Sequence, residues 1–145
     1  MSNKLLGLVL MLLIVAAGWY FYLEQKKQQY ELEEHCGKQA RAVFEKETID
    51  TTPNYLTSYS SHYNASMNKC FYLKTERLLG RDFDSNKPFL KWMTLLDLNE
   101  NRELGIFFNN RAQKEVFKCK VVGKECSSEI EWEGLIKPYM QDSNE

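Results

Sequence analysis

Glycine and proline are scarce, at 7 and 3 of 145 residues, so no low-complexity tract interrupts the chain, and no internal repeat is visible. Charge of neither sign dominates: 19 Lys and Arg stand against 20 Asp and Glu, a formal net charge of −1. With no basic stripe to follow phosphates and no acidic tail, nucleic acid is not an expected partner. Histidine occurs twice, and the four cysteines form no Cys-x-x-Cys pair. That leaves neither a zinc-binding spacing nor the geometry that activates a redox thiol. No catalytic, metal or nucleotide-binding motif emerges, so neither a cofactor nor a small-molecule substrate is indicated.

What is present is a run without charge. Leu5–Leu23, LLGLVLMLLIVAAGWYFYL, holds nineteen uncharged residues. As a helix it reaches about 29 Å, close to the hydrocarbon thickness of a bilayer. Trp19, Tyr20 and Tyr22 close the run and suit the membrane–water interface, where a ring needs one apolar and one wet neighbour. Features of a cleavable export signal are also there: a basic start at Met1–Lys4, an apolar run at Leu5–Val15 and small residues at Ala16-Ala17-Gly18. The anchor is the preferred reading, because apolar character continues past Gly18. Lys4 on one side and Lys26 and Lys27 on the other give no orientation.

Orientation rests on the cysteines. Cys36, Cys70, Cys119 and Cys126 all follow the apolar run, and four cysteines behind an export segment read as a two-disulfide framework with three possible connectivities. Disulfides need an oxidising compartment. The expectation is a single-pass inner-membrane protein with its C-terminal domain in the periplasm, or a secreted or periplasmic one if the segment is cleaved. A two-residue turn at Val122-Gly123 would set Cys119 opposite Cys126 at a Cα separation of about 5.5 Å, within reach of a disulfide. Cys36 and Cys70 then remain to staple the first helix to the second strand.

Glu24–Glu47 is rich in helix formers, and Cys36 shares a helical face with Ala40 and Val43. Helix is therefore expected to run from a membrane segment at 1–23, through a stalk at 24–35, into a domain at 36–141, with a tail at 142–145. It should stop before Pro53. Tyr55, Thr57, Tyr59, Ser61 and Tyr63 alternate with Leu56, Ser58, Ser60 and His62, which reads as a strand. The same tyrosines also fit an i, i+4, i+8 helical stripe behind Thr52-Pro53. Further strands are expected at Lys69–Leu79, Phe89–Leu98, Glu103–Phe108 and Glu115–Val122, with a turn at 64–66 and a polar loop at 80–88. Leu90, Trp92, Leu96 and Leu98, with Leu104, Ile106 and Phe108, form the expected core face. Ser128-Glu129-Ile130-Glu131 is a capping box opening a helix with Trp132, Leu135, Ile136 and Tyr139 on its apolar side, ended or kinked by Pro138. The sum is an α+β chain: an N-terminal membrane helix continuing into the domain, an antiparallel sheet of about five strands, and a C-terminal helix.

Four stretches, His62-Tyr63-Asn64, Met67-Asn68-Lys69-Cys70-Phe71, Asp97-Leu98-Asn99-Glu100-Asn101 and Leu135-Ile136-Lys137-Pro138-Tyr139-Met140, carry a resemblance. The chain resembles small exported proteins of Gram-negative bacteria in which Tyr-x-x-His-Tyr-Asn runs into Asn-Lys-Cys-Phe. The resemblance covers most of residues 36–141. It implies an exported bacterial domain and no particular activity.

Two partial calcium loops have bland explanations. Asp97-x-Asn99-x-Asn101 is followed by Arg102 and Phe108 where glycine and a bidentate glutamate belong. Asp82-x-Asp84-x-Asn86 fails similarly, with Lys87 and Met93. His62 among Ser58, Ser60 and Ser61 suggests a base and nucleophile, but strand neighbours point to opposite faces and no acid is signalled. What remains is non-catalytic binding. The expected function is a membrane-tethered extracytoplasmic accessory domain docking on another envelope protein. The alternative is a secreted, disulfide-stapled binding or inhibitor module. Tyr55, Tyr59 and Tyr63 share one strand face and are the candidate partner contact, since tyrosine joins a large ring and a polar tip to low rotamer entropy. The competing reading packs these rings under the N-terminal helix as core.

Overall fold

Good helix formers and the lack of proline before Pro53 give one long helix, α1, over Asn3–Glu47. The computed structural model describes residues 3–47, 55–79, 88–110 and 115–142. Within them the chain divides into two compact units, Met1–Glu34 and His35–Glu145. In the first unit the apolar side chains of α1 are open to solvent, Leu8 to Leu23 exposing between 46% and 69% of their surface. A bare apolar helix of this length needs a non-aqueous cover. Its length and composition suit a membrane span, and an export signal equally.

In the second unit, residues with period-two patterning form a six-stranded antiparallel sheet among the described residues. Its strands are β1 (Tyr55–Asn64), β2 (Lys69–Leu79), β3 (Pro88–Asp97), β4 (Arg102–Asn110), β5 (Glu115–Val121) and β6 (Lys124–Glu125), in spatial order β1-β2-β3-β4-β5-β6. The fold is α+β, with one short strand beyond the expected five. Each strand pairs with the next in sequence, so every connection is local. At the β5–β6 turn, Val122 and Gly123 have φ of 45° and 82°, the positive values that a primed hairpin turn requires. The branched Val122 side chain bears the strain of that conformation.

A C-terminal helix, α2 (Glu129–Met140), covers one face of the sheet. Its start is capped by Ser128, whose hydroxyl accepts the Glu131 N–H at 3.2 Å, while the Glu131 carboxylate reaches one residue beyond the expected box and accepts the Ser127 N–H at 2.7 Å. Pro138 sits inside the last turn and does not end it, the helix closing at Gln141, whose N–H donates to the Lys137 carbonyl at 3.1 Å. Beneath α2 lie Phe71, Met93, Leu95, Phe107, Cys119 and Val121, packed with Trp132 and Ile136. Gly105 makes room for the indole: a Cβ there would stand 3.0 Å from Trp132 ring atoms and 3.1 Å from the Lys120 carbonyl. Lys91, also on this face and buried, pairs its ammonium with Glu129 at the start of α2.

The expected core face of β3 is inverted. Met93 and Leu95 are buried, whereas Trp92 is 38% exposed. β3 carries large apolar residues at both parities, so its alternation alone does not choose between the faces; the Gly105 slot for Trp132 does. Leu104 does pack against the core under α2, Leu98 against a smaller cluster of Cys36, Tyr63 and Cys70, and Ile106 is buried on the other face.

That smaller cluster belongs to the opposite face, where residues 35–47 of α1 pack. Cys36 is bonded to Cys70, with Cα atoms 5.4 Å apart. Ala40 is fully buried, and one turn further on the Phe44 ring lies 4.6 Å from Tyr59, which stacks on Tyr72 at 5.5 Å. Glu47 then meets Lys74 at 3.1 Å. Burial disfavours the Lys74 ammonium, but the hydrogen bonds it donates to Glu47 and Glu76 outweigh this and raise its pKa. The second disulfide, Cys119–Cys126, joins the flanks of the Val122-Gly123 hairpin with Cα atoms 5.0 Å apart. All four cysteines are thus in disulfides, and none is a thiolate ligand.

Candidate docking face

Residues 62–64, 67–71, 97–101 and 135–140 meet at one end of the second unit, and several of their polar groups are spent on the fold. Asn64 is fully buried. Its amide donates to the carbonyls of Pro138 at 2.9 Å and Gln141 at 3.4 Å, and its oxygen accepts from the Ser66 hydroxyl and the Met67 N–H. That uses the two donors and both lone pairs of the side chain, and ties the β1–β2 turn to the end of α2. Asp97, equally buried, accepts the N–H groups of Asn99 and Glu100 at 3.0 and 3.2 Å, and its second oxygen takes the Lys69 ammonium at 2.6 Å. The hydrogen bonds that Lys69 donates to Asp97 and Glu100 raise its pKa.

Asn99 accepts the Cys70 N–H at 2.7 Å. Two of the three side chains of the first partial calcium loop, Asp97 and Asn99, are therefore engaged in turn closure. Asp82, Asp84 and Asn86 lie outside the described residues. Among the described residues no three His, Cys, Asp or Glu side chains converge to hold a metal. His62 Nε2 stands 3.6 Å from an Asp142 carboxylate oxygen, too long for a hydrogen bond.

The three candidate tyrosines share the sheet face opposite α2 but not one environment. Tyr55 is 45% exposed. Tyr59 is half-buried between Phe44 and Tyr72. Tyr63 is buried against the Cys36–Cys70 bridge, its hydroxyl donating to Asn68 at 2.7 Å. They form no continuous open ridge.

The open aromatic surface lies further along the same face, on β3, β4 and β5. Trp92 and Phe108 are cross-strand partners with ring centroids 4.8 Å apart, and Phe117 lies 5.2 Å beyond Phe108. Phe117 reaches that position because it is an extra residue in β5: Phe108 pairs with Lys118 and Asn109 with Val116, leaving Phe117 as a bulge. Trp92 and Phe117 expose 38% and 49% of their surface. The Trp92 indole N–H donates to the Thr94 hydroxyl at 3.2 Å, so the ring meets solvent with its polar handle satisfied. Lys118 and Lys120, opposite Phe108 and Ile106 in register, are exposed beside the rings.

Such a surface can stack on apolar groups and attract carboxylates. Sequence reasoning missed it by assigning Trp92 and Phe108 to the core. The available signal was that β3 is apolar at both parities, at Leu90, Trp92 and Leu96 as well as at Met93 and Leu95, while a single twelve-residue helix follows to cover one of them.

No protein-family model matches the chain, and neither a curated protein nor a solved structure matches it.

Proposed function

We propose that this is a non-catalytic accessory protein of a bacterial envelope, held in the inner membrane by Leu5–Leu23, whose periplasmic domain docks on another envelope protein. The observation that carries the reading is the open Trp92–Phe108–Phe117 surface beside Lys118 and Lys120. Exposed aromatic rings grouped on a rigid sheet are the usual anchors of protein contacts. The lysine rim selects a partner with an apolar patch flanked by carboxylates. Two disulfides favour an oxidising compartment, the solvent-exposed apolar helix favours a membrane, and the resemblance to exported Gram-negative proteins points the same way.

Site-specific photo-cross-linking in native envelopes tests this. A photoreactive side chain at Phe117 should capture one envelope protein, and one at Ile130, which is 82% exposed on α2, should not. Capture should fall several-fold in K118E/K120E. Equal capture at both positions, or none at 117, would overturn the docking face. A mature protein whose mass lacks residues 1–18 would overturn the anchor in favour of a secreted module.

A further inference from the structure

The two edges of the sheet are finished in opposite ways. At one end β6 is two residues long and fully charged, Lys124-Glu125, a form that discourages further pairing. At the other, β1 is ten residues long, and Tyr55–Asn64 contains no Lys, Arg, Asp, Glu or Pro. Its ladder with β2 runs without a bulge from Tyr55↔Leu78 to Asn64↔Lys69, so the strand is regular along its whole length. Among the described residues no strand pairs with its outer edge. Short length, charge, proline and bulges are the devices that keep an edge from accepting another strand, and β1 has none of them.

The residue order along β1 also fits its own reverse. In an antiparallel pair, directly opposed residues lie on the same face. Centring such a pair on Tyr59 sets Tyr59 against Tyr59 of a second copy, Thr57 against Ser61, and Tyr55 against Tyr63. On the other face Ser58 meets Ser60 and Leu56 meets His62. Aromatic faces aromatic, hydroxyl faces hydroxyl, and no like charges meet, all of which favour cross-strand pairing. The Thr57 hydroxyl, buried without a hydrogen-bond partner, comes opposite the Ser61 hydroxyl.

We infer that β1 pairs antiparallel with β1 of a second copy of this chain, about a two-fold axis midway between the opposed Tyr59 residues, joining the two sheets into one. The axis is normal to the sheet. Both 35–47 segments therefore stay on one face and both α2 helices on the other, while the Trp92 surface, which begins two strands away, stays open. The pairing does not depend on the docking face proposed above.

Ser58 and Ser60 are exposed and opposed in this register, so they carry the test. The full-length chain in detergent should sediment as a concentration-dependent dimer. S58K/S60K places four ammonium groups at the seam and should weaken the dimer at least tenfold. S58E/S60K introduces as many charges, but each new carboxylate faces a new ammonium, so it should keep the dimer while controlling for folding. A wild-type chain monomeric at all concentrations, or a dimer indifferent to S58K/S60K, would overturn the inference. Loss of the dimer in both variants would overturn the register centred on Tyr59.

Discussion

On the face of the sheet under α2, Phe71, Leu95 and Phe107 are shut off from solvent, whereas on the opposite face Trp92 and Phe117 keep 38% and 49% of their surface exposed. β3 supplies residues to both sets, with large apolar side chains on both sides. The difference comes from what covers each face. α2 brings Trp132 into the slot above Gly105 and closes its face over four strands. Residues 35–47 of α1 reach the other face through Cys36, Ala40 and Phe44, over β1 and β2, leaving the β3–β5 aromatics open. Apolarity thus marks which side chains are able to be buried, and helix placement decides which of them are.

Each face carries one disulfide, and removing them in turn compares how far the faces depend on cross-links. Cys36 and Cys70 are 34 residues apart and Cys119 and Cys126 are 7 apart. Loop-closure entropy then assigns about 4 kcal/mol to the first bridge and about 2.5 kcal/mol to the second. Urea unfolding of C36S/C70S and C119S/C126S should show the larger loss for the former. An equal or reversed loss would mean that residues 35–47 hold their face without the bridge. A smaller effect is expected on the α2 side from Gly105→Ala. The new Cβ meets the Trp132 ring and the Lys120 backbone, so the variant should lose about 2 kcal/mol by overpacking in the same assay.

The smallest effect probes the α1 side through Tyr72. Burial, reinforced by Glu47, Tyr59 and Glu76, raises the Tyr72 pKa above its ordinary 10.0. Above that pH an unfolded tyrosine releases its proton while the buried one retains it. The stability present below pH 10 is therefore lost as pH rises. Lys74, also raised from 10.5, loses its contribution in the same direction at slightly higher pH. Tyr72→Phe should flatten the decline in urea midpoint between pH 10 and 12. At pH 7 it should cost less than about 1 kcal/mol, because the hydroxyl has no hydrogen-bond partner among the described residues.

Local chemistry made much of the fold legible. The Ser128 capping box, the Val122-Gly123 turn and the alternation along β1 and β2 each place an element within a few residues of its position. Those signals depend on neighbours in sequence. Which side of β3 lies inward depends on a helix some forty residues away and on the absence of a Cβ at Gly105, so Trp92 and Phe108 were assigned to the core. The bulge at Phe117, which brings a third ring to the cluster, leaves no trace in the hydrophobic pattern. Asn64 and Asp97 are plain in the sequence, but their roles as turn locks emerge only when Pro138 and Lys69 are brought beside them.

Phe107 and Phe108 are identical side chains, adjacent in sequence and pointing to opposite faces, the first fully buried under α2 and the second half-buried between Trp92 and Phe117. Replacing each by alanine and measuring urea unfolding together with partner capture through a photoreactive residue at 117 compares the faces directly. F107A should lose about 3–5 kcal/mol while its folded fraction still captures the partner. F108A should lose about 1–2 kcal/mol and most of the capture. Equal destabilisation, or a larger loss in F108A, would contradict the assignment of a buried face under α2 and an open docking face opposite it.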